Sequence, residues 1–176
     1  MTREEAEALS PEESLRITQE KGWTGGHNPW TVALVVTMAT FMEVLDTAIA
    51  NVSLSHIAGS LSVSSDEATW VLTSYLVSNA VVLPISGWLA TRIGRKRFYL
   101  TCVFLFTASS FLCGLAPNLG LLIFFRVLQG VGGGMILPLG QLMMATAAGP
   151  KRMGRVMGIV AIPAMLGPIL GPTLGG

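Results

Sequence analysis

Glu43, Asp46 and Arg126 are ionisable side chains set inside long apolar stretches of this 176-residue chain. Glu43 and Asp46 are three residues apart and share one face of a helix. Two carboxylates that close, away from bulk water, do not both ionise readily, which suits one of them to carry a proton. For Glu43 a structural ion pair with a neighbouring helix is the equally weighted alternative. An arginine in a membrane helix costs at least ~2.5–3.5 kcal/mol even on the lenient insertion scale, so Arg126 must face a cavity or a partner. Gln129, Gly130 and the run Gly132-Gly133-Gly134 follow it, and those glycines let another backbone come close. A different pattern closes the chain, Gly167-Pro168-Ile169-Leu170-Gly171-Pro172-Thr173-Leu174-Gly175-Gly176. Gly167, Gly171 and Gly175 fall on one helix face, where another helix can pack tightly. Pro168 and Pro172 each remove a backbone donor, so bending is tolerated only where neighbours satisfy the freed carbonyls.

The segments that carry these residues define the class. The chain is 51% hydrophobic and 12% charged, and its mean hydropathy is +0.62. Runs of about 20 apolar residues are the length of a membrane-crossing helix. Five are read here, at about 30–54, 68–90, 98–116, 119–145 and 156–176. They lack the polar faces that helices of a soluble bundle require. An all-α integral membrane protein follows, with short connections that make successive helices antiparallel neighbours. Of the eleven Lys and Arg, all but Arg126 lie before the first span, between the second and third, or between the fourth and fifth. The intervening loops, 55–67 and 117–118, carry none. The positive-inside rule therefore puts the N-terminus in the cytoplasm, with Trp30, Trp88 and Tyr99 at the inner interface and Trp70 at the outer one. Residues 1–29 form an acidic tail with six Glu before Trp23. Ser10-Pro11-Glu12-Glu13 has the makings of a helix start, although a disordered or loosely helical extension is the favoured reading.

Other chemistry finds no support. Cys102 and Cys113, eleven residues apart on one helix, are separated by about 16 Å and cannot bond. Both read as small apolar core residues. His27 and His56 stand alone in loops, and no metal-ligand spacing, phosphate loop or nucleophile elbow occurs. An enzyme, a cofactor, a metal site and a nucleic-acid partner are therefore not expected. The cytoplasmic loop Gly87-Trp88-Leu89-Ala90-Thr91-Arg92-Ile93-Gly94-Arg95-Lys96-Arg97 needs the backbone freedom of Gly94 for its turn. As a bare pattern its basic residues would simply anchor to anionic lipid and set topology.

Together these stretches resemble the major facilitator superfamily, and within it the fourteen-span drug:proton antiporters of EmrB/QacA type. The loop from Gly87 to Arg97, with Gly94 and Arg95, is similar to the family's motif A. Residues 122–134, centred on Arg126, Gln129 and Gly130, resemble motif B. The stretch Leu45-Asp46-Thr47-Ala48-Ile49-Ala50-Asn51-Val52 resembles the first-helix motif of the drug exporters, and 167–176 the antiporter motif C. Thr91 stands where motif A usually has aspartate, and Ala48 and Ser55 stand where the first-helix motif usually has Thr and Pro. The resemblance implies the N-terminal portion of a proton-coupled multidrug exporter of the inner membrane, working by alternating access on small hydrophobic or cationic compounds. It also implies a periplasmic adaptor and an outer-membrane channel as partners. Five helices do not complete one six-helix half, so the chain reads as part of a longer transporter. An uptake facilitator for a polar solute is the alternative, disfavoured by motif C. A non-transporting scaffold or sensor has little use for charges inside its spans. Counted from the helix ends, Asp46 lies ~12 Å and Arg126 ~10 Å below the same outer boundary. The resembled fold sets both helices along one cavity, and a coupled pair is expected.

Overall fold

The structure, a computed structural model, describes residues 29–148 and 150–175, and everything below concerns those residues. The tail helix expected near Ser10, and Gly176, lie outside them. The described chain is helical throughout, in the order α1 (Pro29–Val52), α2 (Leu54–Ser60), α3 (Ser65–Ala68), α4 (Trp70–Ile93), α5 (Arg95–Gly114), α6 (Leu119–Ala148) and α7 (Pro150–Gly175). Trp30–Val52, Ser65–Ile93, Arg95–Gly114 and Leu119–Ala148 are each long and apolar enough to cross a membrane. The stretch expected as a fifth span, 156–176, falls up to Gly175 in the 26-residue helix α7, which is not among those four. Large apolar side chains such as Phe104, Phe111 and Met165 stand 70–74% exposed on the outside of the bundle. A bilayer solvates such a surface and water does not.

The segment 55–67, read from sequence as a loop, contains α2 and α3 instead. Ser64 caps α3: its Oγ accepts from the Glu67 amide at 3.2 Å, and its own amide donates to Glu67 Oε2 at 2.9 Å. The reciprocal bonds stabilise a helix too short to persist alone. At the other end of the bundle, Gly94 is the one residue between α4 and α5. Its φ of +94° is a conformation that side-chain-bearing residues avoid, so the turn depends on glycine there.

Short connections make α5 and α6 close partners but do not do so for every consecutive pair. The tightest crossings are α4 with α6, α5 with α6, and α1 with α7, whereas α1 barely meets α4. The reason lies in the small residues. A Cβ on Gly130 would collide with Ser78 and the Tyr75 carbonyl, and one on Gly134 with the Asn79 backbone, so those two positions, four apart, carry the α4 crossing. Gly132 points another way, and a Cβ there would stand 2.9 Å from the Cys102 carbonyl and the Phe106 amide of α5. With no hydrophobic effect between helices in lipid, close packing of this kind decides who neighbours whom. The core beneath is built from Val36, Tyr99, Phe106, Met135, Ile136 and Met144 among others. Tyr99 thus departs from the interfacial position expected of it. It is 2% exposed, because it lies one turn inside α5 on the face that joins this core, while Trp30, Trp70 and Trp88 are half exposed as an interfacial belt requires.

Candidate functional site

Arg126 projects from α6 one turn before Gly130, and Asp46 projects from α1 toward it. Arg126 Nη1 donates to Asp46 Oδ2 at 2.7 Å and to Gln129 Oε1 at 3.0 Å. The pair is enclosed, with side-chain exposures of 9% for Arg126 and 18% for Asp46. Gln129, fully buried, sits one turn after the arginine and orients the guanidinium from its own helix. From α5, Ser110 Oγ donates to Asp46 Oδ1 at 3.2 Å, and Cys113 Sγ lies 3.7 Å from Gln129 Oε1. Three helices therefore converge on one carboxylate. A charge-assisted bond of this length in a poorly solvated place is strong, and it holds only while both partners keep their charges.

Glu43 does not join this pair. Among the described residues its side-chain partner is a phenol: Tyr75 of α4 donates to Glu43 Oε1 at 3.4 Å, a long bond. Thr47, four residues on, donates its hydroxyl to the Glu43 carbonyl at 3.0 Å, and Asn51 donates to the Thr47 carbonyl at 2.8 Å. These bonds leave both carboxylates of α1 facing other helices, each with a neutral hydroxyl donor and one with a cation as well. Of the two readings open for Glu43, the structural ion pair is not what these residues form.

The remaining expected residues fall into separate places. Gly167 and Gly171 of α7 are buried against α1, where Cβ atoms would strike Val44 and Ala48 respectively. Ala48 is the position where the resembled motif carries Thr, and its small side chain meets the missing one of Gly171. Pro168 and Pro172 face outward and are exposed. Gly175 is the last residue of α7. Gly87, Gly94 and Arg95 lie at the opposite, basic end of the bundle. A Cβ on Gly87 would meet nothing within 4 Å. Arg95 lines an open cavity of about 520 Å³ with Val32, Lys96, Arg97, Met143 and Thr146. Arg92 stacks over the Trp88 ring at 5.4 Å. Tyr75, Ser110 and Cys113 join the site without a motif to mark them. Each is a polar or polarisable group within an apolar span, which is a signal, but spacing alone gives no rule for which of them turns inward.

The motif order can be compared with known proteins. The sequence profile of the Major Facilitator Superfamily matches residues 36–176, most of the chain. The chain belongs to the major facilitator superfamily. Within the superfamily it is similar to the multidrug export protein EmrB of Haemophilus influenzae, 45% identical over 145 residues, 82% of this chain and 28% of the relative. It is also similar to the probable multidrug resistance protein EmrY of Escherichia coli, 42% identical over 153 residues, 87% of this chain and 30% of the relative. The fatty acid resistance protein FarB of Neisseria gonorrhoeae is 43% identical over 145 residues, 82% of this chain and 29% of the relative. The chain thus spans under a third of the length of these superfamily relatives. With its apolar helices, superfamily membership makes this a multi-pass membrane protein.

Proposed function

We propose that this chain supplies the N-terminal portion of a proton-driven exporter of small hydrophobic or cationic compounds. The observation that carries the reading is the enclosed Asp46–Arg126 pair, joined by α5 through Ser110 and flanked one turn away by Glu43. Charges inside a membrane bundle are costly, and a bundle without transport has no use for them. The names of the relatives, multidrug export and fatty acid resistance, support a role in export of small compounds. In this mechanism Arg126 keeps Asp46 charged while the two are in contact. Substrate, or a rearrangement that draws Arg126 away, removes the counter-charge, and the carboxylate takes up a proton that it later releases on the other side. Differential affinity of substrate for the two states drives the exchange.

The exporter sits in the inner membrane with its basic loops and N-terminus in the cytoplasm. The close α1–α7 crossing at Gly167 and Gly171 then lies toward the outer side, as a seal that opens and shuts. Gly87, Gly94 and Arg95 form the corresponding inner gate. A periplasmic adaptor and an outer-membrane channel would carry the cargo onward. The test uses the full-length carrier in inverted vesicles that have been acidified inside by respiration. Addition of a lipophilic cation should release part of the pH gradient, read by a quenched fluorescent amine, in step with uptake of the cation. Cation uptake with no proton movement overturns the antiport reading.

A further inference from the structure

Three cations crowd the start of α5. Arg95, Lys96 and Arg97 fill its first turn, all exposed, with no acidic residue among them and no side-chain cap at the Gly94 that precedes them. A helix N-terminus carries partial positive charge, so cations there add to the positive potential and an anion beside them is stabilised. With Val32 of α1 and Met143 and Thr146 of α6, they line the open basic-end cavity, whose volume of about 520 Å³ is of the size that small ligands fill. The loop holds no counter-charge of its own. Thr91, where the resembled motif has aspartate, donates to the Trp88 carbonyl at 2.7 Å, and Arg92 adds a further cation over the Trp88 ring. Among the described residues the carboxylates are Glu43, Asp46, Asp66 and Glu67. The first two lie ~16 Å and ~21 Å further along α1 than Val32, and the others sit in α3 at the far end of the bundle. The other six acids of the sequence, Glu4, Glu5, Glu7, Glu12, Glu13 and Glu20, all precede α1.

We propose that the acidic segment 1–28 of this same chain seats its glutamates in the basic-end cavity, against Arg95, Lys96 and Arg97. Residues 1–28 lie outside the described ones; their charges and their point of attachment favour this occupant. Six glutamates against Arg3, Arg16 and Lys21 leave the segment a side-chain charge of −3, with His27 neutral. It joins the bundle at Pro29, three residues and about 4.5 Å along the helix from Val32, which is itself in the cavity wall. Even Glu20, nine residues before Pro29, has up to about 30 Å of chain with which to reach. A group tethered so close acts at an effective concentration on the order of millimolar. The charge that suits the cavity also sets the segment against an anionic membrane surface, which attracts basic segments and repels acidic ones. Once seated, the segment touches walls contributed by α1, α5 and α6, and it shields them from other anions. The contact is independent of the proton-coupling reading, because neither Asp46 nor Arg126 takes part in it.

The experiment uses full-length carrier with Thr146→Cys, in the cavity wall, and no other cysteine. The carrier is held in phosphatidylcholine nanodiscs, which leave both faces open to solution. Its rate of reaction with a neutral, water-soluble maleimide reads occupancy of the cavity without electrostatic steering. A segment of ~0.1 mM affinity at millimolar effective concentration fills the cavity about ten to one, so the parent should react about tenfold more slowly than a variant with Glu→Gln at all six tail positions. Molar salt shortens the screening length to about 3 Å; it should speed the parent to the same degree and leave the Glu→Gln variant unchanged. Glu→Asp at all six positions should keep the protection. Thermal unfolding checks that each variant is folded, and the salt comparison needs no variant at all. Equal rates in the parent and the Glu→Gln variant overturn the proposal. Slow reaction in both would assign the cavity to the rest of the carrier, and slow reaction in both only after phosphatidylglycerol is added would assign it to lipid.

Discussion

Asp46→Asn in the full-length carrier removes one charge and almost no volume, and its consequences can be worked from the contacts. Arg126 stays enclosed at 9% exposure but faces a neutral amide in place of a carboxylate 2.7 Å away. Breaking one side of a buried pair costs about 3–5 kcal/mol because the remaining charge is uncompensated. Asn can still accept from Arg126 with its one oxygen while its amide nitrogen donates to Ser110 Oγ, so the low end applies, about 3 kcal/mol. Arg126→Gln strands the Asp46 carboxylate with Ser110 alone and should cost a similar amount. The two together leave a neutral pair, and their combined cost should be no greater than either single one, about 3 kcal/mol against the roughly 6 of simple addition. Thermal unfolding in detergent reads the stabilities, and substrate-induced proton movement in vesicles reads the coupling. Stability should fall no further in the double variant than in either single one, and coupling should be lost in all three. Additive costs would show that the two residues do not interact as a pair. Wild-type proton-coupled efflux by Asp46→Asn would show that the proton travels elsewhere.

Other expected outcomes concern the pair's surroundings. Arg126→Lys keeps the charge but loses the rigid planar guanidinium whose Nη1 serves both Asp46 and Gln129, so partial activity is expected in the same vesicle assay. Gly171→Leu should insert and express normally yet lose drug resistance, because a side chain there strikes Ala48 and props α1 and α7 apart; unchanged resistance would reduce this crossing to ordinary packing. In a carrier lacking Cys102 and Cys113, a cysteine at Ser65 should react with an impermeant thiol reagent added outside intact cells, and one at Arg97 should not. The reverse pattern would invert the orientation. Gly94→Ala should destabilise the α4–α5 turn by about 1–3 kcal/mol, since alanine avoids that backbone conformation. Gly87→Ala, with open space around it, should leave thermal stability unchanged.

The charges make the site legible in the sequence. A guanidinium and a carboxylate inside apolar helices must each find company, and counting residues from the helix ends gives them matching depths; in the folded chain they stand 2.7 Å apart. The glycine faces at Gly130 and Gly167 announce close crossings in the same way. Which helix each face meets is not legible. Gly130 turns to α4 and Gly132 to α5, and residues two apart on a helix point to different neighbours only once three helices are assembled. Tyr99 illustrates the same limit. Its place near a basic loop suggests an interface, and only the rotation of α5 turns it inward. Tyr75 and Ser110 carry no such mark, because a hydroxyl in an apolar span is usually content with its own helix, and their partners come from another.

The uneven packing of the helices has a mechanical result. Backbone-to-backbone crossings tie α4 and α5 to α6, and a second set ties α7 to α1, which makes two stiff blocks. Between them, Arg126 and Ser110 reach to Asp46, and Tyr75 reaches to Glu43, so these polar fastenings all end on two carboxylates of one helix. Nearer the basic end the blocks touch through Gly140 and Val36, an apolar contact indifferent to charge. A proton placed on either carboxylate would weaken those fastenings and leave the apolar contact as it is, so the α1–α7 block is held to the other helices by charge at one level and by packing alone at another.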